Sequence, residues 1–232
     1  MLLPKKIDLS SQCSPIVNQG NIGSCTANAL SGAFEFLELK ELKTKKGPEV
    51  FEPKIFAPVS RLFIYYNERL IEGTVNEDSG ARLRDGVKAL NKLGGCREAI
   101  WKYNKPLLYK KPNKASYDEA AKHKVTEYMK ITSMHTLKKC LADEYPVAFG
   151  FTVYESFETL EVAKTGIMPI PQPDEHILGG HAVLAVGYND EIKMLLVRNS
   201  WGIEWGQNGY FHMPYAYIDT LHLAQDFWTI RK

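Results

Sequence analysis

The sequence lacks the features that mark a membrane protein or a secretion precursor. None of its apolar runs approaches the ~20 residues that a membrane-spanning helix needs. The N-terminal stretch MLLPKKIDL has no long apolar core of the kind that a secretion signal carries. We therefore expect no membrane partner, and the compartment in which the protein works stays open.

A strong charge of either sign is also missing. The 29 lysines and arginines nearly balance the 27 aspartates and glutamates, which leaves a formal net charge of +2. This balance provides no basic surface of the kind that binds nucleic acid, so we expect no nucleic-acid partner. With 232 residues, 44% of them hydrophobic, the chain is long enough to bury a sizeable core.

Cysteine is scarce. The chain has four cysteines, which is too few for a disulfide framework at this length. Cys140 shares a predicted helical face with Leu137 and Leu141, so we expect a buried, inert thiol there. Cys13 and Cys96 have no obvious partner. This pattern favours a reducing, intracellular environment.

The hydrophobic periodicity changes along the chain. In the first half, apolar residues recur at helical spacing in the runs that begin near Cys25, Ser60 and Ser79, and we predict Ser60 and Ser79 as N-caps. In the second half, PVAFGFTV, HAVLAVGY and MLLVRN follow the pattern of strands, and a turn joins the last two into a hairpin. A proline-rich loop is predicted over residues 167–180.

These elements predict an α+β fold. The first unit, residues 1–112, is expected to be mainly helical and to carry Cys25. The second, residues 113–232, is expected to be rich in β-strands and to carry His181 and Asn199, and this division allows the chain termini to cross between the two units. No internal repeat interrupts this order.

The segment NQGNIGSCTANAL, residues 18–30, brings Cys25 to the first turn of a predicted helix. Unpaired backbone N–H groups and the helix dipole favour a negative charge at that position. A thiol placed there is expected to have a lowered pKa, which makes Cys25 a candidate nucleophile.

A base and its orienting group are candidates in the second half of the chain. His181 follows two glycines and begins an apolar strand, where it would face a cleft, although a purely structural histidine is an equal alternative. Asn199 ends the next strand, and its carboxamide would orient the imidazole if the two strands are hairpin neighbours. Trp201 would then shield that hydrogen bond from water. The alternative is that Asn199 only terminates a strand and that the tryptophans fill the core.

Three segments together resemble the papain/cathepsin family of cysteine peptidases. They are QGNIGSC (residues 19–25), GGHAVLAVGY (residues 179–188) and NSWGIEWGQNGY (residues 199–210), and they follow the order Cys, His, Asn that is typical of this family. The resemblance implies a papain-like fold, with a helical left lobe, a β-barrel-like right lobe and the active site in the cleft between them.

The resemblance also implies a role for each matching residue. Cys25 is the nucleophile, His181 the base, Asn199 the residue that orients it, and Gln19 a donor to the oxyanion. It implies neither a metal nor another cofactor. The expected partner is a peptide or protein substrate, and we expect a monomer.

Some positions depart from the family pattern. Ile22 stands where the family has a cysteine that forms a disulfide in secreted members, and Thr26 replaces the aromatic residue that usually follows the nucleophile. We do not expect the helical inhibitory prosegment of the family in this chain.

The substrate contacts are the least regular part of the resemblance. The glycine-rich stretch that normally contacts the substrate backbone is not recognisable, and NEDSGAR, residues 76–82, is the candidate replacement. We therefore predict substrate contacts at Gly80, at Gly180 and Trp201 near the histidine, and at Gln225 near the C-terminus.

The predicted reaction is peptide-bond hydrolysis through an acyl-enzyme, by an endopeptidase in which Cys25 and His181 rest as thiolate and imidazolium. One alternative is an exopeptidase or acyl-transferase with the same triad, in which His176 of the proline-rich loop would bind a terminal carboxylate. Another is a non-catalytic relative that binds peptides in the cleft. A binding module has no need of all four catalytic side chains, which argues against that alternative.

Overall fold

The computed structural model describes residues 2–46 and 56–232. The first half of the described chain is mainly helical, as the periodicity predicts. The α-helices are α1 (Cys25–Lys46), α2 (Arg61–Glu72), α3 (Leu83–Lys92), α4 (Lys114–Ala120), α5 (Met134–Ala142), α6 (Leu160–Thr165) and α7 (Ala216–Asp219).

The strands of the described chain form one antiparallel sheet. They are β1 (Lys6–Asp8), β2 (Glu127–Ile131), β3 (Val147–Tyr154), β4 (Ile177–Asn189), β5 (Met194–Arg198), β6 (Tyr210–Pro214) and β7 (Ala224–Arg231). The strand order is β2-β7-β3-β4-β5-β6, and β1 pairs with β4. Helices together with an antiparallel sheet confirm the predicted α+β class.

The hairpin that the second half predicts is present. β4 and β5 are antiparallel neighbours, with Leu184 opposite Arg198 and Asn189 opposite Met194. This pairing brings the start of β4 close to the residues that follow β5. The hairpin therefore sets the separation between the candidate base and its orienting residue.

The proline-rich loop is shorter than predicted. β4 begins at Ile177, so Gly179 and Gly180 belong to the strand and lie opposite Val153 and Thr152 of β3. Glycine is depleted in strands because it has no side chain to pack. Here the backbone pairing with β3 outweighs that preference.

Capping explains where α2 begins and ends. The side chain of Ser60 accepts a hydrogen bond from the backbone N–H of Phe63, as predicted, and Gly73 ends the helix with a left-handed φ of 76°. The Ser79 prediction was wrong, because α3 begins at Leu83 and Arg82 occupies its N-cap position. The Ser79 hydroxyl instead hydrogen-bonds to Thr74 within the loop that joins α2 to α3.

Helix α1 runs through the core. Every residue from Thr26 to Leu39 is buried, and the helix packs against α2, α3 and β4. One hydrophobic cluster joins Phe34 of α1 to Phe63 of α2 and Phe149 of β3. A helix covered on all sides needs no amphipathic pattern, and its N-terminus is directed at the surface where the candidate nucleophile lies.

Cys140 is buried in α5, as predicted. All four cysteines are free thiols. None of the helices in the described ranges has the length and apolar content to cross a bilayer.

Gly86 in α3 provides a test of the packing between α2 and α3. A Cβ atom at this position would lie 2.2 Å from Leu30 Cδ1 and 2.3 Å from Glu68 Oε1. Replacing a helical glycine with alanine usually stabilises a helix by about 1 kcal/mol, but overpacking a core costs about 1–3 kcal/mol. We expect Gly86→Ala to lower the free energy of unfolding, measured by urea denaturation. Arg84→Ala, an exposed change in the same helix, should shift it by no more than about 0.5 kcal/mol.

Candidate active site

The loop before α1 presents Cys25 at the N-terminus of the buried helix. Gly20 turns the loop with a φ of 59°, and its N–H donates to Asn18 Oδ1 at 2.8 Å. The backbone oxygen of Ser24 accepts the Asn28 N–H at 3.0 Å, which begins the helical hydrogen bonding. The N–H of Cys25 is therefore one of the terminal donors that have no acceptor within the helix.

The imidazole of His181 is held by Asn199. Nε2 of His181 lies 2.7 Å from Oδ1 of Asn199, and the backbone N–H of Ser200 also donates to that oxygen, at 2.8 Å. Two donors on Oδ1 set the orientation of the carboxamide. The oxygen can only accept, so Nε2 carries the proton and Nδ1 is left as the basic nitrogen. Both residues are buried.

Aromatic rings enclose this pair. Trp201 stacks on the imidazole, with ring centroids 4.8 Å apart and an interplanar angle of 24°. Phe151 meets the same imidazole edge-on at 5.8 Å. The ring of Trp201 thus lies against His181, which fits the shielding role predicted for it better than a direct contact with substrate.

Cys25 and His181 line the same cavity, whose volume is about 590 Å³. The backbone N–H of Ala182, the residue after the histidine, acts on the thiol by lowering its pKa. Between the described side chains of Cys25 and His181 themselves there is no hydrogen bond. A proton transfer between them therefore requires a movement that brings the two side chains into contact.

Burial acts on the protonation of both groups. It raises the pKa of the Cys25 thiol, and the hydrogen bond from the Ala182 N–H offsets the rise only in part. It lowers the pKa of His181 to about 4, against the hydrogen bond to Asn199, which raises it. Both directions favour the uncharged thiol and imidazole at neutral pH. This is opposite to the lowered thiol pKa and the resting thiolate–imidazolium pair that the sequence predicts, because helix-dipole reasoning omits desolvation.

Gln19 is fixed beside the nucleophile loop. Its Nε2 donates to the backbone oxygen of Ile22 at 3.0 Å, and its Oε1 accepts the Ser200 hydroxyl at 2.7 Å. The hydroxyl of Tyr103 donates to the Gln19 backbone oxygen at 2.8 Å. An amide has two N–H bonds, so Gln19 has one N–H in addition to the one that donates to Ile22.

Thr26, at the position where the family has an aromatic residue, makes a polar contact beneath the nucleophile. Its Oγ1 donates to Glu68 Oε2 at 2.8 Å, and Glu68 is completely buried. Burial raises the pKa of Glu68 well above its ordinary value. Burial therefore favours the uncharged carboxyl, and any negative charge on Glu68 raises the pKa of the Cys25 thiol.

Three of the four predicted substrate contacts line the cavity, namely Gly80, Gly180 and Gln225. Gly80 stands there in a left-handed conformation with a φ of 72°. Its backbone N–H already donates to the Tyr65 hydroxyl at 3.0 Å. A peptide that passes this loop therefore does not meet a free N–H at Gly80.

Ser200 and Arg82 are among the residues of this site that the sequence patterns do not predict. Ser200, which orients the amide of Gln19, follows Asn199 directly, but the meeting of its hydroxyl with a side chain 181 positions earlier is a tertiary property. Arg82 lines the cavity within the predicted NEDSGAR stretch. The positive charge of Arg82 was the feature of the sequence that could have indicated a substrate contact at this position.

We expect NMR to detect the burial of His181. Its imidazole should titrate near pH 4, because burial disfavours the charged ring. In Asn199→Ala the pKa should fall further, because the lost hydrogen bond stabilises the charged form. The assignment is checked with His181→Gln, whose spectrum should lack the signal. A wild-type His181 that titrates near 6.5, the value of an exposed histidine, would show that the ring is not buried.

Comparison with known proteins identifies the family to which the chain is similar. The family described as "Papain family cysteine protease" matches residues 79–228, a stretch that contains His181 and Asn199. A peptidase C1-like protein of Acanthamoeba polyphaga mimivirus is 43% identical over 98% of this chain and 73% of its own length. Pro-cathepsin H of Mus musculus is 29% identical over 85% of this chain and 55% of its own length.

Among solved structures, xylellain, a cysteine protease from Xylella fastidiosa, superposes with a TM-score of 0.87. It is 44% identical, and the match covers 100% of this chain and 87% of the xylellain chain. The fold is therefore papain-like, and the chain belongs to the papain family of cysteine proteases.

Proposed function

We propose that this cysteine protease is an endopeptidase that hydrolyses peptide bonds with Cys25, His181 and Asn199 as a catalytic triad. The observation that carries the proposal is the 2.7 Å contact between His181 Nε2 and Asn199 Oδ1. It leaves Nδ1 as the basic nitrogen of a ring that shares its cavity with a helix-terminal thiol.

The reaction begins from the uncharged pair. Sγ of Cys25 attacks the scissile carbonyl carbon while its proton passes to Nδ1 of His181, and Asn199 Oδ1 stabilises the imidazolium that forms. The Cys25 N–H and Gln19 Nε2 hold the oxyanion. His181 then protonates the leaving amine as the C–N bond breaks. Water attacks the thioester, again losing its proton to His181, and the acid product leaves with the thiol restored.

The cavity supplies the substrate contacts of the proposal. Gly80 and Gly180 line the cavity without side chains, and Gln225 of β7, which pairs with Gly150 of β3, lines it as well. Arg82 and Asp226 add one charge of each sign to the lining, and the Asp226 carboxylate accepts the Trp228 indole N–H at 2.7 Å. Trp201 contributes by shielding His181. A lining with both charges favours polar side chains near Gln225.

The alternative of an exopeptidase finds less support. His176, the residue that would bind a terminal carboxylate, is exposed, and its Nδ1 lies 3.2 Å from Glu155 Oε1. A carboxylate of the protein already occupies that side of the ring and would repel a second one. Internally quenched peptides with both ends blocked should therefore be cleaved.

Cys25→Ala should abolish cleavage of an internally quenched peptide while the circular dichroism spectrum stays unchanged. The matched control is Cys13→Ala, a change to another partly buried thiol, which should retain activity within about twofold. Normal turnover by Cys25→Ala would disprove the triad. A wild-type protein that binds peptides tightly but cleaves none would instead identify a non-catalytic relative.

Gln19→Ala should lower kcat by about 10²–10³-fold, because losing one oxyanion donor costs about 2.7–4 kcal/mol in the transition state. Ser200→Ala keeps the amide but removes the hydroxyl that orients it, so a smaller loss in kcat is expected, with KM little changed. Steady-state kinetics on one peptide measure both variants. A Gln19→Ala enzyme with wild-type kcat would remove Gln19 from the oxyanion site.

A further inference from the structure

Asp78 lies in the loop that joins α2 to α3 and reaches across to the nucleophile loop. The backbone N–H of Gly23 donates to both of its carboxylate oxygens, at 3.0 Å to Oδ1 and 3.1 Å to Oδ2. Gly23 stands two positions before Cys25. The carboxylate of Asp78 therefore holds the backbone two residues before Cys25, where helix α1 begins.

Tyr65 of α2 extends this contact to the substrate cavity. Its hydroxyl donates to Asp78 Oδ1 at 2.6 Å and accepts the backbone N–H of Gly80 at 3.0 Å. The ring is fully buried, and the guanidinium of Arg69 lies over it at 4.1 Å from the centroid. Burial and the hydrogen bond to Asp78 raise the pKa of Tyr65, so its hydroxyl keeps the proton that it donates.

The four groups meet at one point. A Cβ atom on Gly23 would lie 3.1 Å from Asp78 Oδ1, 3.5 Å from the Gly80 nitrogen and 3.6 Å from the Tyr65 hydroxyl. The missing side chain of Gly23 is thus what lets the two loops approach each other. Gly80 lines the same cavity as Cys25.

We propose that Asp78 is a positioning residue that, through Gly23 and Tyr65, joins the nucleophile loop and the substrate-facing loop at Gly80 into one rigid unit. The proposal rests on the proposed function, because the quantity it controls is the position of Cys25 relative to bound substrate. Displacing a reacting group by about 1 Å is enough to lower a rate by about 10²-fold.

The exposure of Asp78 determines which measurements should respond. The carboxylate is open to solvent, so water replaces much of what the hydrogen bonds contribute to stability. Water cannot replace the geometric link between two loops. Loss of Asp78 should therefore change kinetic constants much more than the melting temperature.

The chain offers a matched control cluster. Asp190 accepts the hydroxyl of Tyr215 at 2.7 Å and the ammonium of Lys138 at 2.7 Å. This is also an aspartate held by a tyrosine and a second donor, and none of its members lines the catalytic cavity. Asp190→Ala and Tyr215→Phe thus repeat the same chemical changes away from Cys25.

The test compares Asp78→Ala and Tyr65→Phe with these two controls. Active sites are titrated with a peptidyl epoxide, so that kcat refers to competent molecules. We expect Asp78→Ala to lower kcat/KM per titrated site by about 10²-fold, with a lower kcat and a higher KM. Tyr65→Phe keeps the bond from Gly23 and should lose about tenfold. The controls should stay within about twofold of wild type.

Two results would overturn the proposal. The first is a fall in melting temperature or in the fraction of active sites while kcat and KM per site stay at wild-type values, which indicates a merely structural residue. The second is an equal loss of kcat/KM in the Asp190 controls. If Asp78→Ala does not fold, Tyr65→Phe decides alone, because it preserves the buried ring.

A separate measurement distinguishes this proposal from the proposed function. If the wild-type protein cleaves no peptide, the proposed function fails, and the link is then judged from the rate at which iodoacetamide alkylates Cys25, mapped by mass spectrometry. A slower or faster rate in both Asp78→Ala and Tyr65→Phe than in the controls supports the link. An unchanged rate in both variants refutes it.

Discussion

The burial of helix α1 is the constraint on which the rest of the structure depends. Its residues from Thr26 to Leu39 are covered on every side, so α2, α3 and β4 must all pack around one axis. The buried carboxylate of Glu35 in α1 is paired within this packing, because it accepts the Ser14 hydroxyl at 2.5 Å and the Val59 N–H at 2.9 Å. Because α1 is held in this way, it cannot shift along its axis, and the position of its first residue, Cys25, is fixed.

The sheet supplies the second fixed point. β4 carries His181, β5 ends one residue before Asn199, and their antiparallel register leaves the two side chains in contact. Arg198, the last residue of β5, is buried and donates to the backbone oxygen of Pro15 at 2.8 Å. That contact ties the sheet to the segment that leads into the nucleophile loop. Helix and hairpin thus approach the cleft from opposite sides with little freedom in either.

The same burial that provides rigidity also determines protonation. Desolvation raises the pKa of Cys25 and lowers that of His181, which favours the uncharged form of each group. The hydrogen-bond acceptor at Asn199 and the backbone donor at Ala182 are already in place for the charges that proton transfer would create. Such preorganised groups act most strongly where water is excluded. Glu68 acts on Cys25 in the same direction as burial, because negative charge on its carboxylate also raises the pKa of the thiol.

Much of the fold follows from local patterns. The Ser60 cap and the helical spacing that follows it describe α2, and the alternating runs describe β3, β4 and β5, because capping and periodicity are properties of neighbouring residues. The predictions of local structure fail where contacts between residues far apart in the sequence determine the conformation. Ser79 resembles an N-cap, yet its loop folds onto Gly23 through Asp78, and α3 starts later. The pair Gly179 and Gly180 is typical of a loop, yet backbone pairing with β3 makes both residues part of strand β4.

By itself the sequence determined the kinds of group available for chemistry and their order along the chain: a helix-terminal thiol, a strand histidine and a strand-terminal asparagine, in segments that resemble one family. Only the tertiary structure decided which nitrogen of His181 contacts Asn199, how Ser200 orients Gln19, and that Asp78 joins two loops beside Cys25. The physical reason is that hydrogen bonds and desolvation depend on distances of a few ångströms between residues far apart in the chain, and residue order does not contain those distances.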